Sequence, residues 1–347
     1  MSTRSTIHDY IRQLQFPSSD SHKGQNGKAL IIGGSDLFHA ASRWSFLAAS
    51  RLVDMTFYSS VAENNQLLYD AKFYAHDGVV VPRRELPAYI AEADSILIGP
   101  GMRRDFASRF TETQLHDIRH EDLSDADWEN DTIAVTRVLT ALGTGKKWVI
   151  DAGALQVIHP EWFPEKPVLT PHPQEFLRLS HKLPDTAKET IHRFLDHDRE
   201  VLLQHAARLF SQFSQSPTGF SRPPEIIREV PLSQTQLSAL FEVSRECRNA
   251  TFLVKGPTDI IWNENELVLV SGGNASMTKG GTGDVLAGSL VGFLATSEPF
   301  VSTVVASYLN KLAGHMLYQE HGTMFNSSDL VEMVPHAWRE VEKGTDP

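Results

Sequence analysis

Residues 271–294, SGGNASMTKGGTGDVLAGSLVGFL, constrain the chain more than any other stretch. Six glycines fall in the seventeen residues from Gly272 to Gly288, and from Asp284 onward the pattern turns apolar. Val285, Leu286, Ser289, Leu290 and Phe293 recur at three- and four-residue steps, which predicts a helix beginning near Gly281. A glycine-rich turn that opens a helix leaves several backbone N–H groups unpaired and pointing one way. The helix dipole adds partial positive charge, so the place suits a phosphate or another developing anion. Asp284 falls in the first helical turn and has two readings. It can be a carboxylate that merely complements the dipole. Alternatively, Gly280, Gly281, Gly283 and Gly288 predict close approach of backbone to a ligand. A carboxylate beside an anion site would then orient and deprotonate a hydroxyl for phosphoryl transfer.

Two familiar glycine motifs are excluded. A Walker loop needs Gly-x-x-x-x-Gly-Lys-Ser/Thr, which neither this stretch nor Gly143-Thr144-Gly145-Lys146-Lys147 has. A dinucleotide fingerprint needs a third glycine where Leu286 stands. The run from Gly280 to Gly288, GGTGDVLAG, resembles the anion-hole motif of ribokinase-like small-molecule kinases. The fuller run from Asn274 to Asp284, NASMTKGGTGD, is most similar to the NAD(P)H-hydrate dehydratases of that superfamily.

The rest of the chain is consistent with that resemblance. Lys28 to Gly34 predicts a buried strand ending in a tight turn, with Ser35 and Asp36 as caps of a helix over 40–52. Met55 to Tyr58 predicts a second strand, and βαβ order implies a parallel sheet with helices on both faces. In such sheets ligands sit at the carboxyl ends of the strands. Lys23-Gly24, Gly33-Gly34-Ser35 and Ala40-Ala41-Ser42 resemble the family's opening, although Ala40 replaces a glycine and Val53-Asp54-Met55 departs from its Gly-Ala-Gly. Gly99-Pro100-Gly101, after a strand from Asp94, resembles the family's Gly-Pro-Gly, but Met102-Arg103 stands for Leu-Gly. Asp151-Ala152-Gly153-Ala154-Leu155 resembles Asp-Ala-Asp-Ala-Leu, with glycine for the second aspartate. Thr170-Pro171-His172-Pro173-Gln174-Glu175 resembles Thr-Pro-His-Pro-Gly-Glu, with Gln174 for glycine. Two prolines hold His172 rigidly. Thr251 to Trp262 predicts two strands around a Lys255-Gly256-Pro257-Thr258-Asp259 turn.

The resemblance implies a ribokinase-like α/β/α sandwich with a mostly parallel sheet. It also implies ADP- or ATP-dependent dehydration of hydrated NADH or NADPH, with Mg2+ and the adenine nucleotide as co-substrate. Asp284 would be the base, and the amides of Gly281, Thr282 and Gly283 the anion hole. Substrate would touch Ala41, Gly99, Gly101, His172, Asn274 and Asp284; nucleotide would touch Lys255, Gly256, Pro257, Thr258, Asp259 and Gly283. Asp151 and Glu175 would hold the metal, directly or through water. Each carries a plainer reading: Ala41 as helix packing, Asp151 as a helix cap, His172 as structural, Lys255 as a surface lysine. A thiazole or hydroxymethylpyrimidine kinase of the same fold is the alternative enzyme, and a nucleotide-binding sensor without turnover the alternative non-enzyme.

Composition sets outer limits. The 347 residues are 41% hydrophobic and 22% charged, ordinary for a globular protein. A net charge of −11 argues against a nucleic-acid surface. The single cysteine, Cys247, excludes a disulfide within the chain and reads as a helix end. No long apolar run appears, so a cytoplasmic protein without membrane contact is expected, acting on small molecules as a homo-oligomer. Residues 1–22 are expected to be peripheral and 23–347 to form one dehydratase domain, without room for an epimerase half. The acidic run from His120 to Asp131 reads as a solvated loop, 181–248 as mostly helical, and 214–224 as a mobile loop. His315 and His321 read as structural.

Overall fold

The computed structural model describes residues 6–71, 77–104, 107–211 and 221–343. Among the described residues ten strands form one sheet: β1 (Lys28–Ile32), β2 (Met55–Ser59), β3 (Val79–Val80), β4 (Ser95–Ile98), β5 (Lys147–Ile150), β6 (Val168–Leu169), β7 (Ser221–Ile227), β8 (Thr251–Val254), β9 (Thr258–Trp262) and β10 (Leu267–Asn274). Their order is β3-β2-β1-β4-β5-β6-β8-β9-β10-β7. Pairing is parallel from β3 across to β8. It is antiparallel from β8 to β9, β9 to β10 and β10 to β7.

The sheet is covered on both faces, which is why its central strands read as unbroken apolar runs. Alternation along β1 sends Leu30 and Ile32 into one core and Ala29 and Ile31 into the other. Helices Thr132–Leu142, Pro173–Ser180 and Gln234–Glu246 supply the first core. Helices Ala40–Ala49, Thr282–Leu294, Pro299–His321 and Ser327–Glu342 supply the second. The central helix, Thr282–Leu294, begins one residue after Gly281, which is left-handed at φ 98°. A Cβ at Gly288 would lie 2.3 Å from the Ser45 carbonyl oxygen, and one at Gly292 2.8 Å from Leu52 Cβ. Gly288 therefore serves helix packing against 40–49, which corrects its reading as a ligand-approach glycine.

Other expectations shift too. Ser35 and Asp36 do not cap the following helix, whose N-cap is His39 without a side-chain bond; Asp36 instead pairs with Arg103. The run from His120 to Asp131 is not a loop. It folds as a 3-10 turn (His120–Asp122) and a helix (Asp125–Asn130) that bury Asp127 and Trp128. Arg109 holds Asp127 from two nitrogens, 2.6 and 2.7 Å away. The opening segment carries a helix, Ile7–Ile11, whose Ile7, Tyr10 and Ile11 are buried. Of the expected loop at 214–224, residues 214–220 lie outside the described residues and 221–224 belong to β7. Cys247 caps a helix C-terminus, as expected, and burial pushes its thiol well up. Among the described residues no helix is long and apolar enough to cross a membrane.

Candidate active site

Parallel strands end at a common edge, and there the chain makes its turns. Gly33-Gly34 follows β1, Gly99-Pro100-Gly101 follows β4, Asp151 follows β5, Thr170-Pro171-His172 follows β6 and Lys255 follows β8. Because β9 runs back, the turn from Lys255 to Asp259 lies on this edge, and so does the end of β10. The start of the Thr282–Leu294 helix closes the group, with Lys255 over its first turn: a Cβ at Gly283 would lie 3.6 Å from Lys255 Nζ.

A cavity of about 580 Å³ opens beside that helix start, lined by Lys255, Gly256, Pro257, Thr282, Gly283 and Lys311, among others. Lys255 Nζ donates to Asp151 Oδ1 at 2.7 Å. Asp151 is buried and makes no side-chain bond to the helix that follows it, so its carboxylate faces the site instead of capping. Asp284 is partly buried in the first turn of its helix. Burial, then the negative charge of Asp151, pushes its carboxyl up to about 7; Lys255 and Arg104 pull the other way. A carboxyl with that value is poised to exchange a proton near neutrality. The carboxylates around Lys255 overcome the effect of its own burial and keep its ammonium group charged.

His172 is the N-cap of Pro173–Ser180. Its Nδ1 accepts from the Gln174 and Glu175 amides at 3.1 and 3.3 Å, while Glu175 Oε2 accepts from the His172 amide at 3.0 Å. This reciprocal box leaves the neutral ring with its proton on Nε2. Burial lowers its pKa, although Glu175 works against that. Gln174 is exposed, so the departure from glycine there projects outward. Gly153 lies against Met102, whose carbonyl oxygen would be 2.5 Å from an added Cβ. The two departures at 102 and 153 therefore touch each other.

Several of the expected site residues carry structural duties as well. Gly99 is glycine because a Cβ would lie 1.8 Å from the Asp151 carbonyl oxygen, so its smallness serves the fold. Asn274, expected on the substrate side, lines the Lys255 cavity. Its side chain accepts from Ser276 N and donates to the Gly314 carbonyl. Thr258 is turned into the sheet and bonds Ser271 Oγ at 2.9 Å. Asp259 is buried, accepting from Gly256 N, Ser307 Oγ and Lys311; it shapes the turn. Ala41 and Gly101 do come together, since a Cβ on Gly101 would be 3.1 Å from Ala41 Cβ.

Sequence reasoning passed over three residues. Lys311 donates to the Gly256 and Pro257 carbonyls at 2.9 and 3.3 Å, fastening the turn. Asn310 also lines the cavity, and its Oδ1 is buried without a partner. This polar pair inside an apolar helix was the signal. Arg104 acts electrostatically on both Asp284 and His172, and nothing in the sequence around it sets it apart.

The architecture is that of a ribokinase-like fold. A crystal structure of a ribokinase-like superfamily protein from Enterococcus faecalis superposes with a TM-score of 0.65 at 23% identity, covering 96% of this chain and 94% of that one. The chain belongs to the NAD(P)H-hydrate dehydratase family, whose profile matches residues 29–215 and 220–336. An ADP-dependent (S)-NAD(P)H-hydrate dehydratase from Cenarchaeum symbiosum is 28% identical over 99% of both chains. A bifunctional NAD(P)H-hydrate repair enzyme from Methanocaldococcus jannaschii is 28% identical over 94% of this chain and 51% of its own length. The chain thus spans about half the length of the bifunctional relatives it matches.

Proposed function

We propose that this chain uses ADP or ATP to dehydrate hydrated NADH or NADPH, restoring the reduced nicotinamide, with residues 23–347 acting as one unit. The observation that carries the reading is Asp284: a carboxyl near 7 in the first turn of a glycine-opened helix, beside the Lys255 cavity. The cavity takes the adenine nucleotide, in keeping with the ADP dependence of the Cenarchaeum relative. Lys255 supplies positive charge at the phosphate end. The hydrated ring lies between Ala41, Gly101 and His172, with its hydroxyl toward Asp284.

Asp284 accepts the hydroxyl proton as that oxygen bonds to the terminal phosphorus of the nucleotide. The phosphoanhydride bond breaks, and the nucleotide leaves with one phosphate fewer. The Gly281 and Gly283 amides, joined by that of Thr282 once it gives up its loose 3.4 Å bond to the Lys279 carbonyl, stabilise the charge on the transferring group, each such donor being worth about 3–4 kcal/mol. The ring C–O bond then breaks with phosphate as leaving group and loss of a proton from the neighbouring carbon, which restores the double bond. Magnesium, expected with the nucleotide, meets no set of three or more metal-type side chains among the described residues. Asp151 Oδ1 is taken by Lys255, and the Glu175 oxygens by Gln156 and His172. With these oxygens already engaged by the protein, the two carboxylates would reach the ion through water.

The test is incubation of the protein with hydrated NADH, magnesium and ADP or ATP, following recovery of the reduced-nicotinamide absorbance. Nucleotide binding by calorimetry without any recovery would replace this reading with the sensor.

A further inference from the structure

Arg83 is a buried cation with unusual partners. It follows β3, is 6% exposed, and its hydrogen bonds go to backbone carbonyls: those of Trp128, Gly33 (3.2 Å) and, more loosely, Gly34 (3.5 Å). Its Nε has no partner. Burial lowers its pKa to about 10, so the guanidinium stays charged at neutral pH. Glu129 eases that charge electrostatically, but the hydrogen bonds themselves all go to neutral carbonyls, which is costly for a buried cation, and a packing role alone would be served by an apolar side chain. We propose that Arg83 is a positioning residue, setting the two peptide planes of the Gly33-Gly34 turn and through them the surface that Ala41 and Gly101 present to the substrate.

A trans peptide is planar, so its C=O and N–H point in opposite directions. Gly33 O points to Arg83, and in the same peptide Gly34 N–H donates to Pro100 O at 2.7 Å. Gly34 O also points to Arg83, and in that peptide Ser35 N–H donates to Phe38 O at 3.3 Å. One guanidinium thus orients two amides, one toward the β4 turn and one toward the approach to the Ala40–Ala49 helix. Those two segments carry Gly101 and Ala41. The packing leaves no slack: a Cβ at Gly33 would lie 2.3 Å from Pro100 O, and one at Gly101 3.3 Å from Gly34 Cα. The third carbonyl, Trp128, belongs to the Asp125–Asn130 helix. Arg83 therefore fastens that helix to the turn beneath the proposed substrate position.

The inference rests on the proposed dehydration for its meaning, and its test has a readout that does not. Arg83→Met and Arg83→Lys are compared with wild type in KM for hydrated NADH, Kd for ADP, and amide hydrogen exchange of the segment 33–38. Arg83→Met should raise that KM roughly tenfold or more and lose protection in the segment, with ADP affinity kept. Arg83→Lys, which donates from one centre instead of a fork, should fall between. A folded Arg83→Met with wild-type KM and protection overturns the proposal. If that variant does not fold, wild-type values in Arg83→Lys overturn it. Should wild type fail to dehydrate the substrate, the functional reading falls alone, and the exchange measurement still decides Arg83.

Discussion

On the β1–β4 side the sheet edge is made of backbone, and on the β8–β10 side it is made of charge. Glycines at 33, 34, 99 and 101 lie where a Cβ would meet Pro100 O at 2.3 Å, Ser60 Oγ at 2.1 Å, Asp151 O at 1.8 Å and Ala41 Cβ at 3.1 Å. The other side holds the Lys255–Asp151 and Lys311–Asp259 pairs around an open cavity. Shape should govern the first side and be indifferent to pH. Charge should govern the second, which tolerates changes of shape but not of protonation. Asp284 sits at the seam and belongs to both.

Asp284→Asn should have the largest effect, a loss of about 10²–10⁴ in kcat with ADP affinity retained. In wild type the rate should rise with pH through about 7, as the carboxyl becomes the ionised base. Stability runs the opposite way. A folded pKa raised from 3.8 to about 7 means that the protonated carboxyl favours folding at low pH, a contribution lost as pH rises through 7. Asp284→Asn should therefore melt above wild type at pH 8, with the gap closing toward pH 4. Near-wild-type turnover in this variant would leave Asp284 as a dipole carboxylate only.

Lys255→Met comes next. It leaves Asp151 buried without its cation, which costs about 3–5 kcal/mol of stability in typical buried pairs; chemical denaturation measures it. Because Lys255 holds the Asp284 carboxyl down, the pH–rate midpoint should also move upward. A midpoint that stayed put would show that the two sides of the edge are uncoupled.

Ala41→Trp probes the side governed by shape. The hydrate KM should rise by roughly 10²-fold, with ADP binding and the pH midpoint unchanged; altered ADP affinity would mean that the sides are not separable. Gln174→Gly should do least. The side chain is exposed, so kcat/KM should stay at its wild-type value while stability drops by about 0.5–1 kcal/mol for glycine in a helix.

Strands β1, β2, β4, β8 and β9 were legible because each carries a short run of large apolar residues next to turn residues. β7 was not, since Pro223 and Pro224 argue against a strand; it forms because the missing N–H groups matter little at an edge. The glycine-opened helix was legible to within a residue, but the role of Gly288 was not. Close approach to a ligand and to Ser45 leave the same mark in a sequence. The Lys255–Asp151 bond joins residues 104 positions apart, and no local pattern announces it. Arg83 was invisible for the same reason, because its partners are carbonyls, which every residue has.

The two rims of the sheet have a consequence for crowding. β3 is two residues long, and β7 carries consecutive prolines beside a break in register at Ser271 and Gly273. Neither rim offers the long, flat row of free amides on which another chain could add a strand. Strand-to-strand polymerisation at these rims is thereby discouraged, which favours helices and loops over sheet edges wherever copies of this chain meet.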